Sequence, residues 1–137
     1  MKSLRSAAMA LAVYSVHVGC GHAPPPAPKP AERQVQAVAD LAGKWSASDD
    51  MDFVYTLTID KDGGFELWID RNKLGKCEIK GKAHVAGGKL LLGAPEDQCH
   101  PDVREPDYEL VVTQFTGDAF VLTLRDDTHA YRRAATQ

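Results

Sequence analysis

Residues 53–70 read FVYTLTIDKDGGFELWID and carry the clearest strand pattern in the chain. Apolar and polar residues alternate through both halves, and an Asp-Gly-Gly segment separates them. Such alternation is typical of half-buried β-strands, and Gly63 and Gly64 tolerate the positive φ that a tight turn needs. The stretch therefore predicts an antiparallel hairpin whose inward face holds Phe53, Tyr55, Leu57, Ile59, Phe65, Leu67 and Ile69. A lone hairpin is marginally stable in water, so further strands must surround it.

Turn signals recur at short, regular intervals along the rest of the chain, apart from a long loop at 93–106. They predict strands at Gly43–Ser48, Phe53–Asp60, Gly64–Asp70, Gly75–Val85, Lys89–Leu92, Asp107–Phe115, Ala119–Arg125 and Thr128–Arg133. Eight short strands in succession predict an all-β fold, an antiparallel up-and-down meander closed into a barrel or half-barrel. The domain would span 41–133, with 134–137 as a tail. Eight strands enclose just enough space for their own side chains, so we expect a filled core.

The composition limits the class of function. A chain of 137 residues supports one small domain, and its net charge of −3 provides no basic surface for nucleic acid. The sequence contains none of the signatures of serine hydrolases, zinc proteases, P-loop proteins or dinucleotide-binding enzymes. His84, His100 and His129 lack zinc-ligand spacing. We therefore predict a protein that is not an enzyme and that uses neither a metal nor a cofactor.

The N-terminus has the pattern of an export signal. Lys2 and Arg5 precede the uncharged segment 7–13, which is too short to span a bilayer. Val18-Gly19-Cys20 resembles the lipobox of bacterial lipoproteins. The resemblance implies a signal peptide at 1–19, lipidation of Cys20 and anchoring in the cell envelope, in the outer membrane rather than the inner one. Secretory cleavage after Ala23 and an uncleaved anchor are the alternatives.

Residues 20–40 would connect this anchor to the domain. Five prolines lie within 22–30, a composition that favours an extended polyproline spacer over helix or strand. Residues 31–40 contain good helix formers with Val35 and Val38 at helical spacing, which predicts a short helix leading into the domain. The alternative is that this segment continues the linker.

The predicted pairing of the cysteines follows from the predicted export. Lipidation of Cys20 leaves Cys77 and Cys99, which would pair in an oxidising compartment. The predicted disulfide ties the 93–106 loop to the fourth strand.

Several short motifs in the domain resemble those of a known family. Leu41-Ala42-Gly43-Lys44-Trp45 looks like the Gly-x-Trp opening strand of lipocalin-like proteins, and the chain later has a V-x-G-G-K-L-x-L segment and a last strand ending in Tyr131-Arg132-Arg133. The resemblance implies that Arg132 or Arg133 packs across Trp45. The barrel of secreted metalloprotease inhibitors is also similar, and in that family the N-terminal segment plugs the protease site.

The leading expectation is a lipid-anchored, lipocalin-like protein that binds a small or apolar ligand without covalent chemistry, or serves as an envelope accessory. Phe53, Tyr55, Phe65 and Tyr108 would face the ligand. An envelope inhibitor of a protease or lysozyme, using 93–106 or 31–40, is the first alternative. A structural or assembly lipoprotein is the second. Trp68 points outward by alternation, so helix cover, partner contact and plain exposure all remain open for it.

Replacing the predicted lipidation site tests the anchor. We expect Cys20→Ala to move the exported protein from the membrane fraction to the soluble fraction, because the acyl chains would be lost. Fractionation followed by immunoblotting measures this. Membrane retention of the variant equal to that of the wild type would refute lipidation at Cys20.

Overall fold

The computed structural model describes residue 21 and residues 24–135. The predicted signal peptide, Cys20 and the last two residues of the predicted tail lie outside the described residues. Eight antiparallel strands pair in sequence order and close into a barrel, which confirms the predicted fold class. The strands are β1 Gly43–Ser48, β2 Val54–Ile59, β3 Gly64–Asp70, β4 Lys76–Ala86, β5 Lys89–Asp97, β6 Asp107–Thr113, β7 Ala119–Leu124 and β8 Asp127–Arg133.

The β2–β3 hairpin has the register that its alternation predicts. Leu57 pairs with Leu67 and Ile59 with Phe65, and all four side chains are buried. Gly63 has a φ of 101°, and a Cβ at this position would lie 2.3 Å from the carbonyl oxygen of Ala83. The turn therefore requires glycine both for its conformation and for its close approach to β4.

The meander places its connections at two ends of the barrel. The β1–β2, β3–β4, β5–β6 and β7–β8 connections share one end, which we call the upper end. The β2–β3, β4–β5 and β6–β7 turns share the lower end, where the chain also enters β1 and leaves β8. The segment that precedes β1 therefore joins the barrel at the lower end.

The predicted helix at 31–40 is wrong. Only one 3₁₀ turn forms, at Val38–Leu41, and Arg33 instead makes a β-bridge to Phe115. The bridge gives the Arg33 N–H a partner, the Phe115 carbonyl, whereas a helix starting at residue 31 would leave this first-turn N–H without one. The side chains of Val35, Val38 and Leu41 pack against the core from this extended path. We call residues 33–41 the strap. Residues 24–30 are exposed and form neither helix nor strand.

The fifth strand is longer than predicted and extends into the 93–106 segment. It reaches Asp97 through a bulge, in which Ala94 and Pro95 lie opposite Gly81. Ala94 has a φ of 48°, and Pro95 has no N–H to donate to the ladder, so both suit a bulge. The remaining loop is 98–106.

The predicted disulfide is present. Cys77 and Cys99 are bonded, with their Cα atoms 5.2 Å apart, and the bond joins β4 to the 98–106 loop. The loop is therefore fixed to the barrel wall at its first turn.

The core fills the barrel around Trp45. This side chain is fully buried, and its indole N–H donates to the Leu41 carbonyl at 2.8 Å. The guanidinium carbon of Arg133 lies 4.3 Å from the centre of its ring, and the Phe120 ring meets it edge-on at 4.6 Å. Of the two candidate arginines, Arg133 is therefore the one that covers Trp45.

Replacing Arg133 should weaken barrel closure. Arg133 also donates to the carbonyls of Gly117 and Ala42, so we expect Arg133→Ala to lower the free energy of unfolding by about 1–2 kcal/mol. Urea unfolding of Arg132→Ala is the matched control and should differ from wild type by less than about 0.5 kcal/mol. Equal losses in the two variants would contradict a special role for Arg133.

Candidate functional site

The four residues predicted to face a ligand do not line a common cavity. Phe65, Tyr108 and Tyr55 are buried in the packed core, and Phe53 is half-buried at the upper end. Within the described residues, the barrel interior keeps a cavity of only about 20 Å³, lined by Tyr55, Leu67, Ile69, Ile79, His100, Leu122, Leu124, Asp127, His129 and Tyr131. Such a volume holds about one water molecule. The interior is therefore filled by its own side chains.

A small polar network closes the upper mouth of the barrel. The Tyr55 hydroxyl donates to Asp49 Oδ2 at 2.8 Å, and the Tyr55 ring stacks on His129 at 4.0 Å. Burial, together with the hydrogen bond to Asp49, raises the pKa of Tyr55 far above its usual value. The phenol therefore stays protonated and acts as a donor. His129 Nε2 is buried and has no hydrogen-bond partner among the described residues.

The 98–106 loop folds back over this mouth. Asp97 accepts hydrogen bonds from the backbone N–H groups of Cys99 and His100, and its other oxygen contacts His100 Nδ1 and the Tyr108 hydroxyl, both at 2.9 Å. Burial opposes ionisation of Asp97, but the hydrogen bonds from Tyr108 and His100 outweigh it and hold its pKa below the usual value. Val103 packs against the core. The loop is thus braced against the barrel.

An apolar surface lies on the outside of β2 and β3, near the upper end. Trp68 is 40% exposed, Val54 45%, Met51 61% and Leu74 72%. We call these four residues the outer patch. The predicted helix that could have covered Trp68 does not form, and the strap packs at the lower end. None of the described elements covers Trp68, and a surface depression of about 470 Å³ adjoins it.

A second concave surface lies at the lower end. Pairing between β5 and β6 stops at Leu90 and Leu110, while β6 continues to Thr113 along β7. The barrel wall therefore opens, and the first residues of the strap lie across the gap. We call the resulting space of about 240 Å³ the lower cleft. Its lining is Arg33, Gln34, Val35, Val85, Gly88, Lys89, Leu90, Glu109, Leu110, Val111 and Val112.

The lower cleft combines an aliphatic lining with one available cation. Lys89 pairs with Glu109 at 3.1 Å. The Arg33 guanidinium lies over the Phe115 ring at 5.1 Å and forms no ion pair with another described residue. Sequence reasoning missed this cleft because it depends on where two strands stop pairing. Val111 is the one local signal, since a second valine there breaks the alternation of β6.

No family model, curated protein or solved structure matches the chain. Along residues 24–135, no helix is long and apolar enough to cross a membrane. The same residues contain no group of three or more histidine, cysteine or carboxylate side chains arranged to hold a metal ion.

The free energy of unfolding should change with pH as Asp97 is protonated. Because its folded pKa is depressed, its contribution is complete above the unfolded pKa of about 4 and is lost as pH falls below that value. We expect Asp97→Asn to be about 1–2 kcal/mol less stable at pH 7, with the difference from wild type shrinking between about pH 4 and pH 2. Urea unfolding at each pH measures this.

The control is Asp102→Asn, an exposed aspartate in the same loop, which should match wild type throughout. A stability difference for Asp97→Asn that stayed constant down to pH 2 would contradict the role given to its charge.

Proposed function

We propose that this chain is a lipid-anchored, lipocalin-like envelope protein that binds a small apolar molecule non-covalently in the lower cleft. The observation that carries the proposal is the contrast between the barrel interior and the lower cleft, which is smaller than the depression beside Trp68 but more enclosed. The interior keeps about 20 Å³, whereas the lower cleft offers about 240 Å³. The binding site therefore lies at the lower rim of the barrel. The resemblance to lipocalins would place it in the barrel interior instead.

The chemistry of the lining suits an apolar body with an acidic head group. Val85 and Val112 supply accessible aliphatic surface above the buried Leu90 and Leu110, and burying such surface drives association. Lys89 is already paired with Glu109, so Arg33 is the cation that remains for an anion. Its guanidinium can hold a carboxylate through two parallel hydrogen bonds.

The position of the cleft fits an anchored protein. The strap that crosses the cleft continues into the proline-rich linker, so the cleft faces the tether. Arg33 follows Cys20 by thirteen residues, which span about 40 Å as a polyproline helix. Apolar molecules that partition into a bilayer would therefore be within reach of the cleft.

The contacts of two segments favour this function over enzyme inhibition. An inhibitor needs a segment that projects from the barrel far enough to enter an enzyme cleft. The strap is bound to Phe115 and to the core, and the 98–106 loop is held by Asp97 and the disulfide. Because both segments pack against the barrel, reversible ligand binding agrees better with the structure than enzyme inhibition does.

Octanoate is a suitable probe because its chain and carboxylate match the two parts of the lining. About ten non-hydrogen atoms at roughly 0.3–0.5 kcal/mol each give a Kd of about 0.2–6 mM. We expect octanoate to shift the amide resonances of 33–35, 85–90 and 109–112 in nuclear magnetic resonance spectra of the whole mature chain. Val112→Phe should abolish these shifts, because the larger ring fills the cleft.

Two further variants separate packing from charge. Arg33→Gln should weaken octanoate severalfold and leave octanol unaffected, since only octanoate carries a charge. Val54→Phe at the upper end is the matched control for Val112→Phe and should bind octanoate like wild type. Shifts confined to other residues, or none at 10 mM octanoate, would sink the proposal.

A further inference from the structure

We infer that the upper end is a docking surface for a cationic protein segment that carries apolar side chains. This inference goes beyond the proposed function, because it uses the opposite end of the barrel and a different class of ligand. It rests on two independent observations, the clustering of exposed apolar side chains and the distribution of charge.

The apolar side chains converge on one side of the barrel. Among the described residues, five large hydrophobic side chains are exposed, and four of them form the outer patch. Trp68 pairs with Thr56, and Val54 pairs with Asp70, so Trp68 and Val54 are diagonal neighbours on the same face of the sheet. The fifth, Val111, lies at the lower cleft. The outer patch is therefore a cluster rather than a scatter of isolated residues.

Two loops of the patch are held in place. The side-chain amide of Asn72 donates to the Asp52 carbonyl at 3.1 Å and so joins the β3–β4 turn to the β1–β2 loop. Asp49 fixes the second loop by accepting the N–H groups of Met51 and Phe53. Met51 and Leu74 are thus presented from braced loops, which lowers the entropic cost of binding. Tryptophan beside them is the residue type most enriched among energetic hot spots.

The net negative charge of the described chain is concentrated at the same end. The upper-end segments 49–53, 70–76, 97–107 and 125–127 contain ten acidic and five basic residues. The remainder of residues 21–135 contains nine of each sign. Two of the basic residues at the upper end are already paired, Lys76 with Asp70 and Arg125 with Glu105. The upper end therefore carries the whole excess of −5, of which −1 lies in the two loops of the outer patch and −4 in the segments 97–107 and 125–127.

The negative charge of the upper end favours some binding partners of the outer patch over others. A second copy would bring another −5 against the first and be repelled at physiological salt. An anionic lipid surface would be repelled in the same way, and the tether leaves from the lower end. A cationic segment is attracted and steered toward the rim, while its apolar side chains bury Trp68. Charge complementarity therefore points to a basic protein partner.

The experiment uses the whole mature chain and a synthetic peptide of seven Lys-Leu repeats. Trp45 is fully buried, so Trp68 reports binding through its fluorescence, and calorimetry gives the Kd for variants. We expect the peptide to bind, with at least tenfold weaker binding to Trp68→Ser and unchanged binding to Val111→Ser, an exposed residue at the other end. Binding should weaken severalfold from 50 to 300 mM salt.

Peptides of seven Lys-Ser or seven Glu-Leu repeats are the matched probes, and both should bind at least tenfold more weakly. The inference is overturned if Lys-Leu fails to bind, if Trp68→Ser binds it like wild type, or if Glu-Leu binds equally well. Self-association in sedimentation that Trp68→Ser abolishes would assign the patch to a second copy and likewise overturn it. A far-ultraviolet circular dichroism spectrum and a urea unfolding transition like those of wild type show independently that Trp68→Ser is folded.

Discussion

Closure of the barrel depends on the burial of Trp45 beneath Arg133. The seam between β1 and β8 has only two residue pairs, Trp45 with Arg133 and Ser46 with Arg132, so backbone pairing there is short. The indole compensates by binding the strap through the Leu41 carbonyl and by packing on Phe120. One side chain thus joins the first strand, the last strand and the strap, and the position of the strap across the lower end follows from it.

The filled interior explains why recognition is assigned to the two ends. Large side chains such as Trp45, Phe120 and Tyr131 occupy the space that a ligand would need. What remains is the gap where β5 and β6 separate and the sheet face that no other element covers. The proline-rich segment joins the lower end, and the excess charge lies at the upper end. The molecule therefore offers a small apolar cleft beside that segment and a larger acidic surface away from it.

Much of the fold was predictable because alternation is local. The hairpin 53–70 and the barrel class follow from patterns within a few residues of each other. The disulfide follows instead from the predicted export and from the two cysteines that remain once Cys20 is assigned to lipidation. The strap was not predictable, since Val35 and Val38 fit a helix until Phe115, far along the chain, supplies the competing β-bridge. The end of β5 depended on a bulge opposite Gly81. The lower cleft depends on where β5 and β6 stop pairing, and the outer patch depends on which faces of the sheet the other described elements leave exposed. Neither property can be inferred from a single stretch of sequence.

Xenon binding to the whole mature chain tests the central claim, that the barrel is filled and its apolar space lies at the rim. Xenon enters apolar cavities without needing a head group or a partner. Under xenon pressure, we predict changes in the methyl resonances of Val85, Leu90 and Val112 at the lower cleft. Leu57, Leu67 and Leu122 inside the barrel should not respond. Saturable xenon shifts at those three interior residues would contradict the account, because they would reveal an internal cavity large enough for a ligand.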